Sequence, residues 1–340
     1  MAIVIGWDVG GAHLKAARAV DGRVVDAVQF ASPLWLGLNH LDDAFAQAKA
    51  RLGPADGHAV AMTGELSMAF ASRAQGVAAL GEIVAAALAP APTRFYAGRA
   101  GWLGARELAG RAGDVASANW HASAALAARH APDAMLIDMG STTTDIIPIA
   151  GGLIGARGYS DAERLASGEL VYAGLARSLV FASANRAPFA GGWTPLMADD
   201  FADMADVHRV IGDMPQGVDV QKTTDGRGKS AAESRARLAR MVGRDAHEAS
   251  DAAWLALARY FAEAQLRELA DAAAQVLSQG GVDDAAPVVA AGIGADVLCE
   301  LSRRLGRRHV DFGELIGAAP SATRAATHFA PAAALAILGG

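Results

Sequence analysis

Lysine is scarce in this chain, with only Lys15, Lys49, Lys222 and Lys229 among 30 basic residues, the rest being arginine. Cysteine is scarcer still. A single Cys299 excludes an intramolecular disulfide and a cysteine-built metal site, and it fits a reducing compartment, so the cytoplasm is the expected location. A net charge of -6, from 30 basic against 36 acidic residues, lacks the basic excess of an electrostatic nucleic-acid binder, so no nucleic-acid partner is expected. Long apolar runs are also missing. The opening MAIVIG is too short for the core of a signal peptide, which takes roughly 7–15 apolar residues. The alanine-rich stretch Val77 to Pro92 is broken by Glu82 and ended by Pro90 and Pro92, short of the roughly 18 residues a membrane span needs. It reads as a buried helix, and no membrane partner is expected.

What the chain does have is length and apolar bulk. Its 340 residues are 52% hydrophobic with 38 glycines, enough for two domains or one large α/β unit with a core of Ala, Val, Leu and Ile. Strand-like runs at Ala2–Trp7, Leu14–Val20 and Arg23–Phe30 are separated by Asp8-Val9-Gly10-Gly11 and by a turn at Gly22, predicting three consecutive antiparallel strands. Helices are predicted at Leu41–Leu52, Ser67–Ala74, Ala100–Ala112 and Ser117–Arg129, with a strand at His58–Met62. A second start repeats the first: strand Ala134–Asp138, a polar loop through Asp145, strand Ile146–Ile149, and a turn at Gly151-Gly152. A boundary near Pro132-Asp133 divides the chain into 1–131 and 132–340. Within the second part, about 159–250 loses its strand signal and reads as a mainly helical insertion. A long helix follows at Ala252–Gln279, then a strand at Pro287–Ala291 ending in Gly292-Ile293-Gly294.

Three small-residue loops therefore follow strand ends: Asp8-Val9-Gly10-Gly11-Ala12-His13-Leu14-Lys15, Asp138-Met139-Gly140-Ser141-Thr142-Thr143-Thr144-Asp145, and Ala291-Gly292-Ile293-Gly294. Glycines admit a ligand close to the backbone, and turn amides and hydroxyls can surround phosphate oxygens. Asp8 and Asp138, with Asp145, are candidate Mg²⁺ ligands, because that ion combines one or two carboxylates with phosphate oxygens. Gly10, Gly11, His13, Lys15, Gly140, Ser141, Thr142, Thr143, Thr144, Gly292 and Gly294 are the candidate phosphate or cofactor contacts. Trp7 and Trp193 read as core. Glu169 and Tyr172, at i and i+3 of a helix-like segment, read as both facing the cleft.

Two strand–Asp-x-Gly–strand loops in successive halves, followed by a late strand with Gly-x-Gly, resemble the actin, sugar kinase and Hsp70 superfold, and more closely its hydantoinase A and oxoprolinase branch. The resemblance implies a two-domain, RNase H-like α/β fold, with the first two loops on phosphate and the third near a nucleoside. A narrower set, Gly6-Trp7-Asp8-Val9-Gly10-Gly11-Ala12-His13-Leu14-Lys15, Met62-Thr63-Gly64-Glu65-Leu66, Ile137 to Asp145, Ser167-Gly168-Glu169-Leu170-Val171-Tyr172 and Thr223-Thr224-Asp225-Gly226-Arg227, is similar to a family linked to tetrahydromethanopterin-dependent one-carbon transfer in methylotrophic bacteria. Archaeal relatives in that family are methanopterin-pathway synthases that join an aminomethylfuran-methyl diphosphate to the phenol of γ-glutamyltyramine, releasing diphosphate. Gly11 stands where sugar kinases carry Ser or Thr, which points away from a simple ATP kinase. The chain is also shorter than the hydantoinases.

The resemblance implies a transferase with diphosphate and phenolic substrates, Mg²⁺ as cofactor, and Lys15 with the loop amides stabilising the departing diphosphate. Glu65 is the candidate base for the phenol proton, whose ordinary pKa is about 10. Lys222 and Lys229 bracket a polar loop suited to closing over a substrate. An ATP-dependent kinase or amide hydrolase, and a non-catalytic sensor or scaffold, are the competing expectations. Binding of ATP or another nucleotide, and assembly of identical copies, are left open.

Overall fold

In the computed structural model, which describes residues 1–340, the chain opens with three antiparallel strands, β1 (Ile3–Gly10), β2 (His13–Val20) and β3 (Arg23–Ala31). The turn between β2 and β3 is Asp21-Gly22, both at positive φ, the backbone that a two-residue hairpin requires. Strand β4 (Gly57–Thr63) then lies parallel to β1, and β5 (Thr93–Tyr96) parallel to β4, with the short β6 (Trp102–Leu103) at the edge. The order is β3-β2-β1-β4-β5-β6.

The same plan recurs. Strands β7 (Ala134–Met139) and β8 (Thr144–Ala150) are antiparallel, and Gly151-Gly152, again both at positive φ, turn the chain into β9 (Leu153–Ile154). The two-residue β10 (Leu170–Val171) pairs with β8. After a hairpin formed by β11 (Arg186–Phe189) and β12 (Gly192–Pro195), strands β13 (Val288–Ala291) and β14 (His309–Asp311) add in parallel, giving β10-β8-β7-β13-β14 with β9 also on β8. Two sheets, each with an antiparallel hairpin flanked by parallel strands in the order 3-2-1-4-5, are the RNase H-like arrangement used twice. The actin-like α/β architecture expected from the sequence is the one found.

Register positions the chemistry. In the first hairpin Asp8 lies opposite Lys15, and in the second Asp138 lies opposite Asp145, so each loop returns to face the aspartate that began it. The last helix, Ala330–Leu338, lies on β1. Gly6 permits that approach, because a Cβ there would run into the Ala332 carbonyl.

Between β10 and β13 a separate apolar cluster forms around Phe189, Trp254 and Phe261, with Phe189 and Trp254 stacked at 4.7 Å. The helix Asp251–Leu277, capped by Ser250, spans from this cluster back to the second sheet. Its bounds lie within two residues of the expected ones. The buried Arg237 pairs with buried Asp206 at 2.7 Å and with Asp225 at 3.0 Å, fixing the 218–229 loop from one side.

Four local expectations are corrected. Ser67–Ala71 is a run of turns, and the helix begins at Arg73, after Ser72 caps it by accepting from the Gln75 amide. Ala100–Ala112 is broken into 3-10 turns and a short strand, because Gly98 and Gly101 sit at positive φ. Glu169 and Tyr172 flank strand β10 instead of sharing a helix face. Trp193 belongs to a hairpin and is 57% exposed, under the guanidinium of Arg186, whereas Trp7 is core as expected. No helix is long and apolar enough to cross a membrane.

Candidate functional site

The loops of the first and second hairpins open onto one cleft of about 620 Å³. Gly10, Gly11, Ala12, His13 and Lys15 line it from the first loop, and Asp138, Gly140, Ser141, Thr142, Thr143 and Asp145 from the second. The second loop is braced from behind. Leu175 donates its amide to the Gly140 carbonyl at 2.9 Å, and Ala176 and Arg177 donate theirs to Ser141 at 3.1 and 2.7 Å. Gly174 allows this contact, since a Cβ there would lie 2.5 Å from the Thr142 backbone. The brace also delivers Arg177, whose guanidinium stacks 4.6 Å from the centre of Trp35, both on the cleft wall.

Some expected contacts are otherwise engaged. The Gly140 amide donates to Thr143 within its own turn at 2.9 Å, and the buried Thr144 hydroxyl donates to the Ala173 carbonyl at 2.6 Å. Gly292 and Gly294 are not among the cleft-lining residues. They pack behind the end of β7, where the Gly294 amide donates to the Met139 carbonyl and a Cβ on Gly292 would strike Met139 and the Asp138 carboxylate. Their smallness serves packing between β7 and β13.

Charge in the cleft is concentrated and mixed in sign. Lys15 Nζ lies 3.3 Å from Asp8 Oδ2. Burial disfavours its ammonium, but Asp8, Asp138 and Asp145 together outweigh that and raise its pKa. Burial, followed by the charges of Asp145 and Asp8, pushes Asp138 up to about 7 against the pull of Lys15. Asp145 is also raised by burial, although Arg164 opposes this through a 2.7 Å ion pair. His13 is 6% exposed with an unpartnered Nε2; burial, then Lys15, Arg177 and Lys229, lowers its pKa to about 3, so the ring is neutral.

Asp8 and Asp138 fit a magnesium ion. Asp8 Oδ1 is buried without a partner, Asp138 faces the cleft, and both are hard oxygen donors. Asp145 fits less well, because Arg164 already engages its Oδ1.

Ser117, Asn119 and Asp161 also line the cleft, and Glu65 lies behind Ser117, 1% exposed. Ser117 Oγ is 3.0 Å from Glu65 Oε1 and 3.3 Å from Asp161 Oδ2. Burial pushes Glu65 up to about 7, with Ser117 and Arg73 drawing it down and Asp161 adding to the rise. Glu65 therefore reaches the cleft only through Ser117, and it does not cap a helix at Ser67. The rim is apolar: Trp35, Leu66, Met68 and Tyr172 are all substantially exposed.

The sequence did not single out Trp35, Ser117, Asp161, Arg164 or Arg177. Trp35, Ser117 and Arg177 lie on short turns and Asp161 and Arg164 on a seven-residue helix, where no period or glycine signature marks them. The nearest signal was Ser160-x-x-Glu163, a capping box that places Asp161 at the start of its helix.

The hydantoinase/oxoprolinase family model matches residues 56–327. The (4-{4-[2-(gamma-L-glutamylamino)ethyl]phenoxymethyl}furan-2-yl)methanamine synthase of Methanocaldococcus jannaschii is 28% identical over 297 residues, 87% of each chain. The synthase of the same name from Methanococcus vannielii is 33% identical over 116 residues, 34% of this chain and 52% of that one. Among solved structures, a ROK family glucokinase from Streptomyces griseus in complex with glucose and AMPPNP covers 99% of both chains at 15% identity and a TM-score of 0.44. Component A of the (R)-2-hydroxyglutaryl-CoA dehydratase of Acidaminococcus fermentans covers 99% of this chain and 97% of its own at 12% identity and a TM-score of 0.46.

Proposed function

The chain belongs to the hydantoinase/oxoprolinase family, and on that footing we propose that it is a transferase joining an aminomethylfuran-methyl diphosphate to the phenol of γ-glutamyltyramine, with release of diphosphate. The relative matched over 87% of both chains carries in its name the phenoxymethyl-furan ether that this reaction makes. The observation that carries the proposal is the cleft's division into a polar floor of mixed charge, with Lys15 and Arg177 as anion partners and carboxylates for a metal, and an apolar, partly aromatic rim. Such a site suits a diphosphate attached to one ring and a second ring approaching it.

The chemistry follows from where charge develops. An electron-rich furan supports positive charge on its methylene carbon, so the barrier is dominated by the departing diphosphate. Preorganised donors in a site shielded from water stabilise that charge most effectively. Lys15 supplies a fixed ammonium, paired with Asp8 and favoured by the nearby charge of Asp138. Neutral His13 has an Nε2 free to contact an anion oxygen, and Arg177 offers a guanidinium kept flat by Trp35. Ser141, Thr142 and Thr143 add hydroxyls. A magnesium ion held by Asp8 and Asp138 would neutralise further charge on the diphosphate. Trp35, Leu66, Met68 and Tyr172 would hold the two rings face to face near the reacting atoms, the proximity term of the rate. The transfer as written consumes no nucleotide, and a nucleotide bound elsewhere on the chain stays compatible with it.

Purified protein incubated with both substrates and Mg²⁺ should release diphosphate and form the aryl ether, seen by mass spectrometry. Absence of product under conditions where the Methanocaldococcus synthase turns over would overturn the proposal. Calorimetric titration with ATP and Mg²⁺ tests the competing kinase or hydrolase reading. That reading requires tight nucleotide binding with steady hydrolysis.

A further inference from the structure

The cleft wall formed by Ser117 and Asp161 holds a hydroxyl between two carboxyl groups. Asp161 and Ser117 border the cleft, and Glu65 is behind them with Oε2 buried and unpartnered. Ser117 Oγ stands between the two acids, 3.0 Å from Glu65 and 3.3 Å from Asp161. A serine hydroxyl has one proton to donate, so both contacts are hydrogen bonds only when one of the carboxyl groups carries a proton of its own. Arg73 Nη2 pairs with Asp161 Oδ2 at 2.8 Å, which favours the proton on Glu65. Ser117 is also one of three non-glycine residues at positive φ, at 52°. A conformation of that kind costs on the order of 1–3 kcal/mol and persists where the surroundings enforce it. Here it aims the hydroxyl between the acids.

We infer that Asp161, Ser117 and Glu65 form a proton relay that takes the acceptor's hydroxyl proton from the cleft into the protein. The inference rests on the transferase reading and extends it. As the phenol oxygen bonds to the furan-methyl carbon, the carbon–oxygen bond to diphosphate breaks and its electron pair leaves with the diphosphate. The phenol proton passes to Asp161. With Glu65 ionised at the start, Ser117 accepts that proton and gives its own to Glu65, so Asp161 returns to the carboxylate that pairs with Arg73, and Glu65 ends neutral, the proton-loaded state in which both Ser117 contacts are hydrogen bonds. A neutral acid is the form that burial favours at Glu65, and the charges that act on it are those of Asp161, which adds to the rise, and Arg73, which opposes it. Asp161 is the group that touches substrate. Ser117 and Glu65 act through it.

Ser117→Gly tests the relay, because glycine accepts the positive φ without strain. Diphosphate release should fall about 100-fold, within the range for lost proton-transfer assistance, while KM for the phenol stays within twofold. The acid limb of kcat, near pH 7 in the parent, should move toward the ordinary carboxylate range. Glu65→Gln should reproduce the loss. Independently of turnover, carbon-13 NMR of glutamate-labelled protein should show one side-chain carboxyl titrating near pH 7, absent in Glu65→Gln, moved down by Asp161→Asn and up by Ser117→Gly. Thermal melts check that each variant is folded. An unchanged rate and acid limb in Ser117→Gly, or a Glu65 carboxyl insensitive to both neighbours, overturns the relay. Failure of the parent to make ether, with those NMR shifts intact, overturns the transferase reading and leaves the proton pathway standing.

Discussion

Lys15, on the cleft floor, and Glu65, behind the cleft wall, solve opposite problems. Lys15 keeps its charge because three carboxylates face it, whereas at Glu65 burial outweighs its backbone amide and the Ser117 hydroxyl, so the carboxyl loses its charge readily. This has a consequence for stability. The Glu65 carboxyl binds its proton more tightly folded, at about 7, than unfolded, near 4.5, so between those values the folded chain holds the extra proton and stability falls as pH rises. The full effect is about 3 kcal/mol at most. Urea unfolding of the parent and of Glu65→Gln at pH 5 and pH 8 should therefore show the balance shifting toward the variant by about 1–3 kcal/mol at the higher pH. A difference that does not change with pH would contradict this account of Glu65. At this scale Asp8, Lys15 and Asp138 were legible, because each lies at a strand end beside a glycine-bearing loop. Arg177, Ser117 and Trp35 were not, since their positions depend on which distant segments pack against the cleft.

The hairpins were legible as elements for a local reason: alternating apolar residues ended by Asp21-Gly22 and Gly151-Gly152, turns that carry their own geometry. Segments without such local instruction went astray. Residues 67–71 have helical composition but no buried face, and β10 is a strand only because β8 is beside it. The brace at 173–177 is of the same kind, since only the fold reveals that Gly174 sits against the second loop. Substituting Gly174→Ala should push the Thr142 backbone away from the cleft. We expect a loss of about 1–3 kcal/mol in stability from overpacking and a rise of about tenfold in KM for the diphosphate substrate. Gly113→Ala, with open space around it and no positive φ, should leave both unchanged. Equal behaviour of the two variants would mean that the brace does not position the loop.

The whole molecule is joined across its cleft by more than the central helices. The 218–229 loop belongs to the excursion after the second hairpin and is fixed there by Arg237, yet it also reaches the first sheet: Gln29 Nε2 donates to the Val218 carbonyl at 2.8 Å and Gln221 Nε2 to the Ala12 carbonyl at 2.7 Å. Ala12 lies within the first cleft loop, and Lys229 is close enough for its charge to act on His13. The strap thus connects the two sides of the site beside the place assigned to the diphosphate. The polar sequence around Asp225-Gly226-Arg227 suggested a closing loop, but it could not reveal that glutamines were the tether, because neither Gln29 on its strand nor Gln221 in the loop carries a positional signature. Each neutral hydrogen bond contributes about 0.5–1.5 kcal/mol, so removing both in Gln29→Ala/Gln221→Ala should favour opening of the strap by about 1–3 kcal/mol. Because local opening exposes the backbone to proteases, trypsin should cut after Lys222, Arg227 or Lys229 about 5- to 100-fold faster in the double variant, while cleavage elsewhere and global unfolding change far less. Cleavage at the parent's rate would show that the salt-bridge network on the far side holds the strap by itself, and that the glutamines do not tether it to the first hairpin.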